Sequence, residues 1–433
     1  MNRSRTSLSL AAFLLFAATG PAAFAQGILV SATGPVNRSM GGAGTAAPLE
    51  AQGALFWNPA SISALESDEV SLGFAGVLPV LRTSSSITGL GAGTSAAEPG
   101  ISPLINFGWV HHPENSDLTF GVGLFSAAGF RTNFPASTTN PVFTPQSNAP
   151  GVPGGLGQVY TEAAFLQFVP TVAWQMNDRW SFGFGPTVTI GDVIVDPFVF
   201  DAPDDADGSG APRYASGIGS RTHWGGGFQA GAYYEDECGR HLGFTFKSPQ
   251  WMERFSFNSE DESGLPRSVG AKMDLPMVLS LGTAWSGWDR WVLATDVRYF
   301  DYANTDGFNT RGFRADGSVA GLGWNSIFSV ATGAQYKVSE DLFLRVGYTF
   351  NECPIPDDQA FFNIGTPLHY QHEIHVGGSW RLAKRVWLSC AYTYYLESEV
   401  SGPIVTPLGA VPGSNVTNRK TVHIADVGIT VRY

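Results

Sequence analysis

Ionisable side chains recur along a chain that is otherwise poor in charge, and they are the first candidates for chemistry. On segments that alternate between bulky apolar and small residues, those on the small-residue face are Lys247, Asp296, Arg298, Arg345, His375, Arg381 and Arg432. No serine, histidine and acidic side chain share a strand face with the spacing of a catalytic triad. Charges of both signs inside a membrane protein pair with one another. We therefore predict that the protein is not an enzyme and needs no cofactor.

The acidic residues and the cysteines are the other side chains to consider as metal ligands. The acidic run at residues 201–207 could bind calcium or remain a solvated loop. Because the ligand pattern of a known calcium loop is absent, we favour the solvated loop and predict no metal site. Cys238, Cys353 and Cys390 are odd in number and lack metal-type spacing, so no disulfide framework is expected.

The elements that carry these groups alternate with a period of two residues, which indicates strands with one apolar and one polar face. The end of the chain is the clearest case, where one face comprises His423, Ala425, Val427, Ile429, Val431 and Tyr433. Asp426, Gly428, Thr430 and Arg432 occupy the other face. A closing strand of this kind, with a terminal aromatic residue, is typical of a bacterial outer-membrane β-barrel.

The same alternation recurs in fourteen segments and predicts an all-β, fourteen-stranded antiparallel transmembrane barrel. The segments are 67–79, 102–112, 117–130, 160–177, 179–195, 222–237, 240–257, 269–287, 289–304, 324–337, 341–351, 371–382, 385–398 and 420–433. A soluble two-sheet sandwich also alternates, but it would not need strands this long.

The links between these segments are alternately very short and long. Short turns and long outer loops are the known asymmetry of outer-membrane barrels. Because each long loop follows an odd-numbered strand, both termini are expected on the periplasmic side. The protein would then lie in the bacterial outer membrane, surrounded by lipid and lipopolysaccharide, and nothing in the sequence suggests an oligomer.

Composition agrees with this location. Residues 1–25 have the charged start, apolar stretch and Ala23-Phe24-Ala25 cleavage site of a signal peptide. The chain is 13% aromatic and only 14% charged, whereas soluble domains carry roughly 25% charged residues. A net charge of −12 disfavours nucleic acid as a partner.

Residues 26–65 precede the barrel, residues 66–433, and do not alternate. They contain a small-residue stretch with Gly41, Gly42 and Gly44, followed by Asn58, Pro59 and Ala60. Since Pro59 disfavours a helical conformation at Asn58, a turn or helix end is expected there. The segment could be a periplasmic tail or a plug inside the barrel, and its apolar, small-residue composition favours the plug.

These motifs resemble the long-chain fatty acid and hydrocarbon transporter family of outer-membrane proteins, the FadL/TodX type. Residues 40–60 are similar to the N-terminal hatch of that family, which ends in Asn-Pro-Ala. Residues 168–174, 242–249 and 344–357 add further similarity, and together the resemblance spans the mature chain. It implies fourteen strands and passive transport of hydrophobic molecules.

The resemblance also implies a route. Ligand would be captured at outer loops, pass to an apolar interior site and leave sideways at an inward kink in strand three, while the hatch rearranges. Strand three ends in Ala127, Ala128, Gly129 and Phe130, and small residues inside a strand mark a bulge or bend. We expect the gate there, with positions 126, 128 and 130 facing lipid; an ordinary strand end is the alternative.

Candidate ligand contacts follow from the need for apolar burial, which is worth roughly 25 cal/mol per Å². Phe134 and Phe143 lie in the second long loop, and Phe198 and Phe200 in the third. They could contact ligand or pack the loops' own core. Among the inward basic residues, Arg345 is the leading candidate to meet a ligand carboxylate.

The main hypothesis is therefore passive uptake of hydrophobic small molecules, with long-chain fatty acids first and aromatic hydrocarbons as the alternative. A general diffusion porin and a surface adhesive barrel are the other possible classes. A porin would have an open lumen and steady ion conductance, whereas adhesion would depend on the loops alone.

Overall fold

The computed structural model describes residues 26–147, 149 and 154–433, so the predicted signal peptide lies outside the described residues. Fourteen long strands form the body of the molecule. In chain order, β1 to β14 are Glu69–Ile87, Ser102–His111, Leu118–Phe134, Val159–Gln175, Trp180–Asp196, His223–Glu235, Arg240–Lys247, Val278–Trp288, Trp291–Phe300, Ile327–Ser339, Leu342–Asn351, His372–Ala383, Val386–Gly402 and Ser414–Arg432. No helix within the described residues is long and apolar enough to cross a membrane.

Each strand pairs antiparallel with its neighbours in sequence, and the two end strands pair with each other. The β1–β14 ladder runs from Glu69 opposite Arg432 to Ile87 opposite Ser414. The sheet is therefore closed, which leaves it without an unpaired edge. The predicted fourteen-stranded antiparallel barrel is confirmed.

The period of two appears directly in the exposure of β14. Val427 and Ile429 are 46% and 48% exposed, whereas Asp426 and Thr430, which flank them on the other face, are 4% and 5% exposed. Apolar residues point outward and polar residues inward, as in a barrel that faces lipid. Outward Trp174, Trp180, Trp288, Trp291, Trp380 and Tyr433 form an aromatic girdle beside the short turns. We call this end of the barrel the turn end and the opposite end the loop end.

Four strand predictions were wrong in extent by more than five residues. The first and last segments were too short, since β1 runs to Ile87 and β14 begins at Ser414, whereas the seventh and eighth were too long. The seventh segment was expected to run to residue 257, but β7 ends at Lys247, because Pro249 has no N–H with which to continue the ladder. The eighth was expected from residue 269, but β8 begins at Val278. Between them the chain forms a small loop-end sheet of Phe255–Glu260, Pro266–Ala271 and Gly219–Ser220. Alternation alone does not separate a loop hairpin from a barrel strand.

Residues 26–65, which we call the lumen segment, lie inside the barrel. Two short helices, α1 (Gly34–Ser39) and α2 (Ala51–Trp57), are buried along their whole length. Glu50 caps α2 by accepting hydrogen bonds from the backbone N–H groups of Gln52 and Gly53 at 3.1 and 2.8 Å. Helix α1 packs on β12, β13 and β14, and α2 packs on β2 and β3. The two helices therefore occupy the lumen between β2–β3 on one side and β12–β14 on the other.

A buried ion pair on β9 anchors the small-residue stretch of the lumen segment. Asp296 Oδ2 accepts hydrogen bonds from the backbone N–H groups of Gly44 and Thr45, at 2.9 and 3.0 Å, and from the Thr45 hydroxyl at 2.8 Å. Arg298 bonds Asp296 at 2.7 Å and donates to the Gly42 carbonyl at 2.5 Å. Its guanidinium also lies 3.4 Å from the centre of the Trp57 ring.

The Asn-Pro-Ala motif closes the segment against the opposite wall. Asn58 Nδ2 donates to the carbonyls of Thr45 and Ala232, at 2.8 and 3.1 Å, and its Oδ1 accepts from the N–H of Ala60 at 3.0 Å. Pro59 packs directly on Gly183 of β5. The amide of Asn58 thus joins the two halves of the lumen segment to the barrel.

Inward glycines allow the lumen segment to approach the wall at backbone distance. A Cβ on Gly347 would lie 2.0 Å from the Gly41 nitrogen, and a Cβ on Gly243 would lie 2.0 Å from the Thr45 carbonyl oxygen. These contacts explain why bulky residues alternate with glycine in the sequence. Gly41 and Gly42 themselves have φ of +67° and +78°, which other residues rarely adopt.

We predict that Gly347→Ala displaces the lumen segment, because the added methyl would overlap backbone rather than a movable side chain. Overpacking of this kind costs about 1–3 kcal/mol. The apparent midpoint of thermal unfolding in detergent should fall, and residues 26–65 should become accessible to added protease. Gly76→Ala is the control, since its Cβ would meet only a methyl of Ile101 at 3.3 Å. An unchanged midpoint and protease pattern for Gly347→Ala would contradict the close contact.

Candidate functional site

The barrel wall is incomplete between β2 and β3. Their ladder starts at His111 opposite Phe120 and ends after six pairs, at Asn106 opposite Phe125. The Ser126 hydroxyl then accepts from the Ile105 N–H at 3.0 Å and donates to the Ile105 carbonyl at 3.2 Å, which completes the last rung. The two segments form their next backbone hydrogen bond at Asn133, whose carbonyl accepts from the Glu98 N–H at 2.7 Å. Residues 127–132 therefore have no strand partner on the β2 side.

A β-bulge in β3 creates this gap. The register with β4 shifts between Ser126 and Ala128, so that Ala127 and Ala128 are both buried, at 3% exposed each. The irregularity lies in the small-residue stretch where the sequence predicts it. The expectation that Ala128 and Phe130 face lipid was wrong, because the extra residue inverts the alternation and turns both side chains inward. Gly129 has φ of +157°.

The start of the lumen segment occupies the inner side of the gap. Val30 donates its N–H to the Ala127 carbonyl at 3.1 Å, and Gly129 donates its N–H to the Ile28 carbonyl at 3.2 Å. Leu29 lies opposite Ala128 in an isolated antiparallel bridge. Residues 28–30 thus supply the hydrogen bonds that β2 does not.

Two tyrosines hold this short strand from the other side. The Tyr302 hydroxyl accepts from the Ile28 N–H at 3.1 Å and donates to the Gln26 carbonyl at 2.8 Å. The Tyr370 hydroxyl donates to the Gly27 carbonyl at 2.5 Å. All three contacts are hydrogen bonds of tyrosine hydroxyl groups, and the short strand adds two backbone bonds with β3.

A cavity of about 430 Å³ passes through the wall at the gap; we call it the wall cavity. Its lining includes inward residues, such as Val422 and Tyr395, together with outward residues of β4, Ala164 and Leu166. Of the predicted gate residues, Ala128, Gly129 and Phe130 line the cavity, whereas Ala127 does not and its carbonyl bonds Val30. The volume lies within the roughly 300–1,000 Å³ of small-molecule sites.

Three basic residues line the wall cavity. Arg38 bonds Asp426 at 3.1 Å, and Arg131 bonds Glu162 at 2.5 Å, so both guanidinium groups have a carboxylate partner. Lys420, on β14, is different. Its ammonium lies 4.6 Å from the centre of the Tyr370 ring and makes no hydrogen bond to any described residue. It is therefore the basic group in the cavity that remains able to bind an anion.

No carboxylate among the described residues forms a hydrogen bond or an ion pair with the Lys420 ammonium. Glu373 is the acidic residue that acts on Lys420 electrostatically. Its carboxylate accepts hydrogen bonds from Ser31 at 2.6 Å and Asn351 at 2.8 Å rather than from Lys420. His369, in the loop before β12, is buried, and burial, with a smaller effect of Lys420, lowers its pKa to about 3. The imidazole is thus neutral and adds no second positive charge.

A second cavity of about 470 Å³, the loop-end cavity, lies among the long loops. It is lined by apolar side chains that include Phe200, Phe313, Phe361, Phe362, Ile364 and Ile404. Tyr214 also lines it, and burial raises the pKa of this phenol to about 12, which keeps it neutral. An apolar pocket at this end offers a place where a hydrophobic molecule leaves water.

Of the four predicted loop phenylalanines, Phe200 alone lines this cavity. Phe134 and Phe143 stack on each other with ring centres 4.8 Å apart, and Phe198 packs on Phe257 at 4.7 Å. These three are fully buried and form the core of the loops, which is the alternative that the sequence left open.

Arg345, the predicted carboxylate partner, lies away from both cavities. Its Nε donates to Gln335 and its Nη1 to Ser379, each at 2.7 Å, on the turn-end side of the lumen segment. Lys247 lies over the Phe56 ring at 3.8 Å, and Arg432 bonds Glu69 at 3.0 Å. Sequence reasoning missed Lys420, although extending the alternation of β14 by two residues places it on the inward face.

Comparison with known proteins agrees with this geometry. The model of the outer membrane protein transport protein family (OMPP1/FadL/TodX) matches residues 14–433. The long-chain fatty acid transport protein of Escherichia coli K12 is 22% identical over 386 residues, which are 79% of this chain and 78% of that protein.

Solved structures show the same fold. A Pseudomonas aeruginosa FadL homologue superposes with a TM-score of 0.71 at 15% identity, covering 94% of this chain and 99% of its own. The Pseudomonas putida toluene transporter TodX gives a TM-score of 0.66 at 16% identity, with 93% and 99% covered. Members of the matched family are transport channels and not enzymes. The chain belongs to the OMPP1/FadL/TodX family and is an outer-membrane transporter of hydrophobic compounds.

Proposed function

We propose that this protein takes up long-chain fatty acids by passive transport and that Lys420 contacts the carboxylate. The observation that carries the proposal is a basic side chain, without a hydrogen-bonding partner among the described residues, on the wall of an otherwise apolar cavity. A fatty acid has the matching chemistry, with one anionic group on a long apolar chain. The E. coli relative named for long-chain fatty acid transport supports the same substrate class.

The route begins at the loop-end cavity and ends at the gap in β3. Apolar burial, at roughly 25 cal/mol per Å², draws the acyl chain from water into the loops and then into the wall cavity. Residues 28–30 leave β3, and the molecule exits between β2 and β3 into the lipid. The hatch is thus the lumen segment, with Gly41, Gly42, Gly44, Asn58, Pro59 and Ala60 anchoring its remainder.

The gate strand is joined to β3 itself by few hydrogen bonds, and its other three bonds are made by the hydroxyls of Tyr302 and Tyr370. Residues 28–30 make two backbone hydrogen bonds with β3, and a net contribution of about 0.5–1.5 kcal/mol is typical of each. The downstream anchor at Asp296 makes three bonds to Gly44 and Thr45. We infer that the first residues of the lumen segment move while the glycine stretch remains in place.

The proposed orientation follows from the same route. The loop end faces the medium and contacts lipopolysaccharide, and both termini lie on the periplasmic side at the turn end. The protein acts as a monomer, because the exit gap opens through its own wall and requires no second subunit.

Replacing Lys420 with methionine separates the substrate classes. Lys420→Met removes the charge but keeps the length, so fatty acid uptake should fall by about tenfold or more, since a hydrogen bond to a charged group is worth roughly 1.5–3 kcal/mol. Toluene uptake should not change. Both are measured with labelled compounds in cells that lack their own transporter.

Lys384→Met, a change at an exposed turn-end lysine, serves as the control. Equal loss of both substrates would indicate a structural effect of Lys420. Retained fatty acid uptake would instead favour a neutral substrate such as an aromatic hydrocarbon, which is the substrate that the name of TodX gives for that neighbour.

Locking the gate strand should stop transport. Leu29 and Ala128 form a bridge without mutual hydrogen bonds, for which Cα atoms lie about 4.5 Å apart, within the range of a disulfide. The double variant Leu29→Cys, Ala128→Cys should lose uptake when oxidised and regain it with reductant.

The free cysteines Cys238, Cys353 and Cys390 are first replaced by alanine so that the new pair has no competitor. Leu29→Cys alone is the control and should transport under both conditions. Undiminished uptake by the oxidised double variant, with the cross-link verified by mass, would rule out this exit.

A further inference from the structure

We propose that the loop end holds a calcium ion between Asp205, Asp207 and Glu262. The first two residues lie in the loop between β5 and β6, and Glu262 lies in the turn of the hairpin between Phe255–Glu260 and Pro266–Ala271. The site is separate from both cavities of the transport route, and the inference does not depend on the identity of the substrate.

The spacing of the three carboxylates fits one ion. A ligand oxygen from each residue lies within 4.8 Å of the others. Calcium–oxygen distances are about 2.3–2.6 Å, so two oxygens on opposite sides of one ion are roughly 4.8 Å apart. Three oxygens at this spacing can therefore surround a single calcium ion without moving the backbone.

Glu262 provides an independent reason to expect a ligand. Its side chain is only 5% exposed, and its Oε1 accepts a hydrogen bond from Arg213 at 2.6 Å. Its Oε2 is buried and has no hydrogen-bond partner among the described residues. A buried carboxylate oxygen without a partner is costly, and a cation at the centre of the cluster would satisfy it.

The other acidic residues of the run are neutralised elsewhere. Asp204 bonds Arg267, and Asp201 lies 3.7 Å from the same guanidinium. Asp204 also accepts a hydrogen bond from the backbone N–H of Glu262 at 3.2 Å, and it is Asp205 and Asp207 whose carboxylates cluster with that of Glu262. The sequence alone could not show this division, because Glu262 and Arg267 lie more than fifty residues further along the chain.

Charge also favours a divalent cation. Arg213 bonds Glu262 and lies 3.4 Å from Asp207. Three carboxylates against one guanidinium leave two negative charges, which one calcium ion would balance. Carboxylate oxygens with flexible geometry are the ligands that calcium prefers, whereas magnesium demands a stricter octahedron.

Binding would fasten two loops that are otherwise joined by side chains at the surface. Arg213 precedes Tyr214, which lines the loop-end cavity and donates its hydroxyl to the Gly317 carbonyl at 2.8 Å. Calcium between residues 205–207 and Glu262 would therefore hold the rim of this cavity in one position. Calcium is abundant where lipopolysaccharide is bridged by divalent cations, so the ion would be available.

The test uses the full-length protein purified in detergent with a chelator, then titrated with calcium chloride in a calorimeter. One ion should bind with a dissociation constant of about 10⁻⁴–10⁻³ M, as in extracellular calcium modules. Glu262→Gln and Asp207→Asn should each weaken binding by about tenfold or more. Calcium should also slow proteolysis of the loop at residues 201–213 in the parent protein but not in these variants.

Asp289→Asn, at a fully exposed carboxylate in a turn-end link, is the control and should bind as the parent does. Folding of the parent, the variants and the control is compared by gel electrophoresis, in which a folded barrel keeps its migration until it is heated. If the parent binds no calcium at millimolar concentration, the site does not exist. Binding that persists unchanged in Glu262→Gln would place the ion elsewhere and equally overturn the proposal.

Discussion

One constraint governs the whole molecule: backbone N–H and C=O groups at membrane depth must find partners inside the protein. Thirteen of the fourteen strand junctions meet it with ladders that run along the wall, apart from local bulges and a three-residue break beside Pro170 and Pro186 between β4 and β5. The β2–β3 junction does not, and two substitutes take over. The Ser126 hydroxyl completes the last rung, and residues 28–30 bond β3 from inside. In the proposed mechanism residues 28–30 leave, so this junction combines a satisfied backbone in the closed state with a wall that opens.

Hydrogen bonds and close backbone contacts within the protein also determine the packing inside the lumen. Glycines on the inward face let the lumen segment touch the wall, and the Asp296–Arg298 pair uses its hydrogen-bonding groups on that segment rather than on water. Buried ion pairs cost desolvation energy, which their hydrogen bonds must offset. The interior is therefore polar without being a pore, which separates this protein from a general diffusion porin.

Much of the fold could be predicted from sequence, because the period of two is visible within each strand and does not depend on knowing which strands are its neighbours. What the period cannot show is where it breaks. The bulge after Ser126 inverts the faces of Ala128 and Phe130, and β7 ends ten residues earlier than predicted, just before Pro249. Lys420 and Glu262 matter through neighbours that are distant in sequence, Tyr370 and Asp205, so composition gave no hint of their partners. Phe198 and Phe200 are two residues apart, yet one packs a core and the other lines a cavity.

The unequal ladders also determine how the barrel responds to force. The β1–β14 junction, where the two ends of the chain meet, extends over all nineteen residues of β1, whereas the β2–β3 ladder has six pairs. Lateral tension in the membrane is shared around the ring, and strain concentrates at the most compliant junction. The proposed opening therefore lies two strands away from the β1–β14 junction, so the long ladder that closes the barrel stays paired while the wall opens.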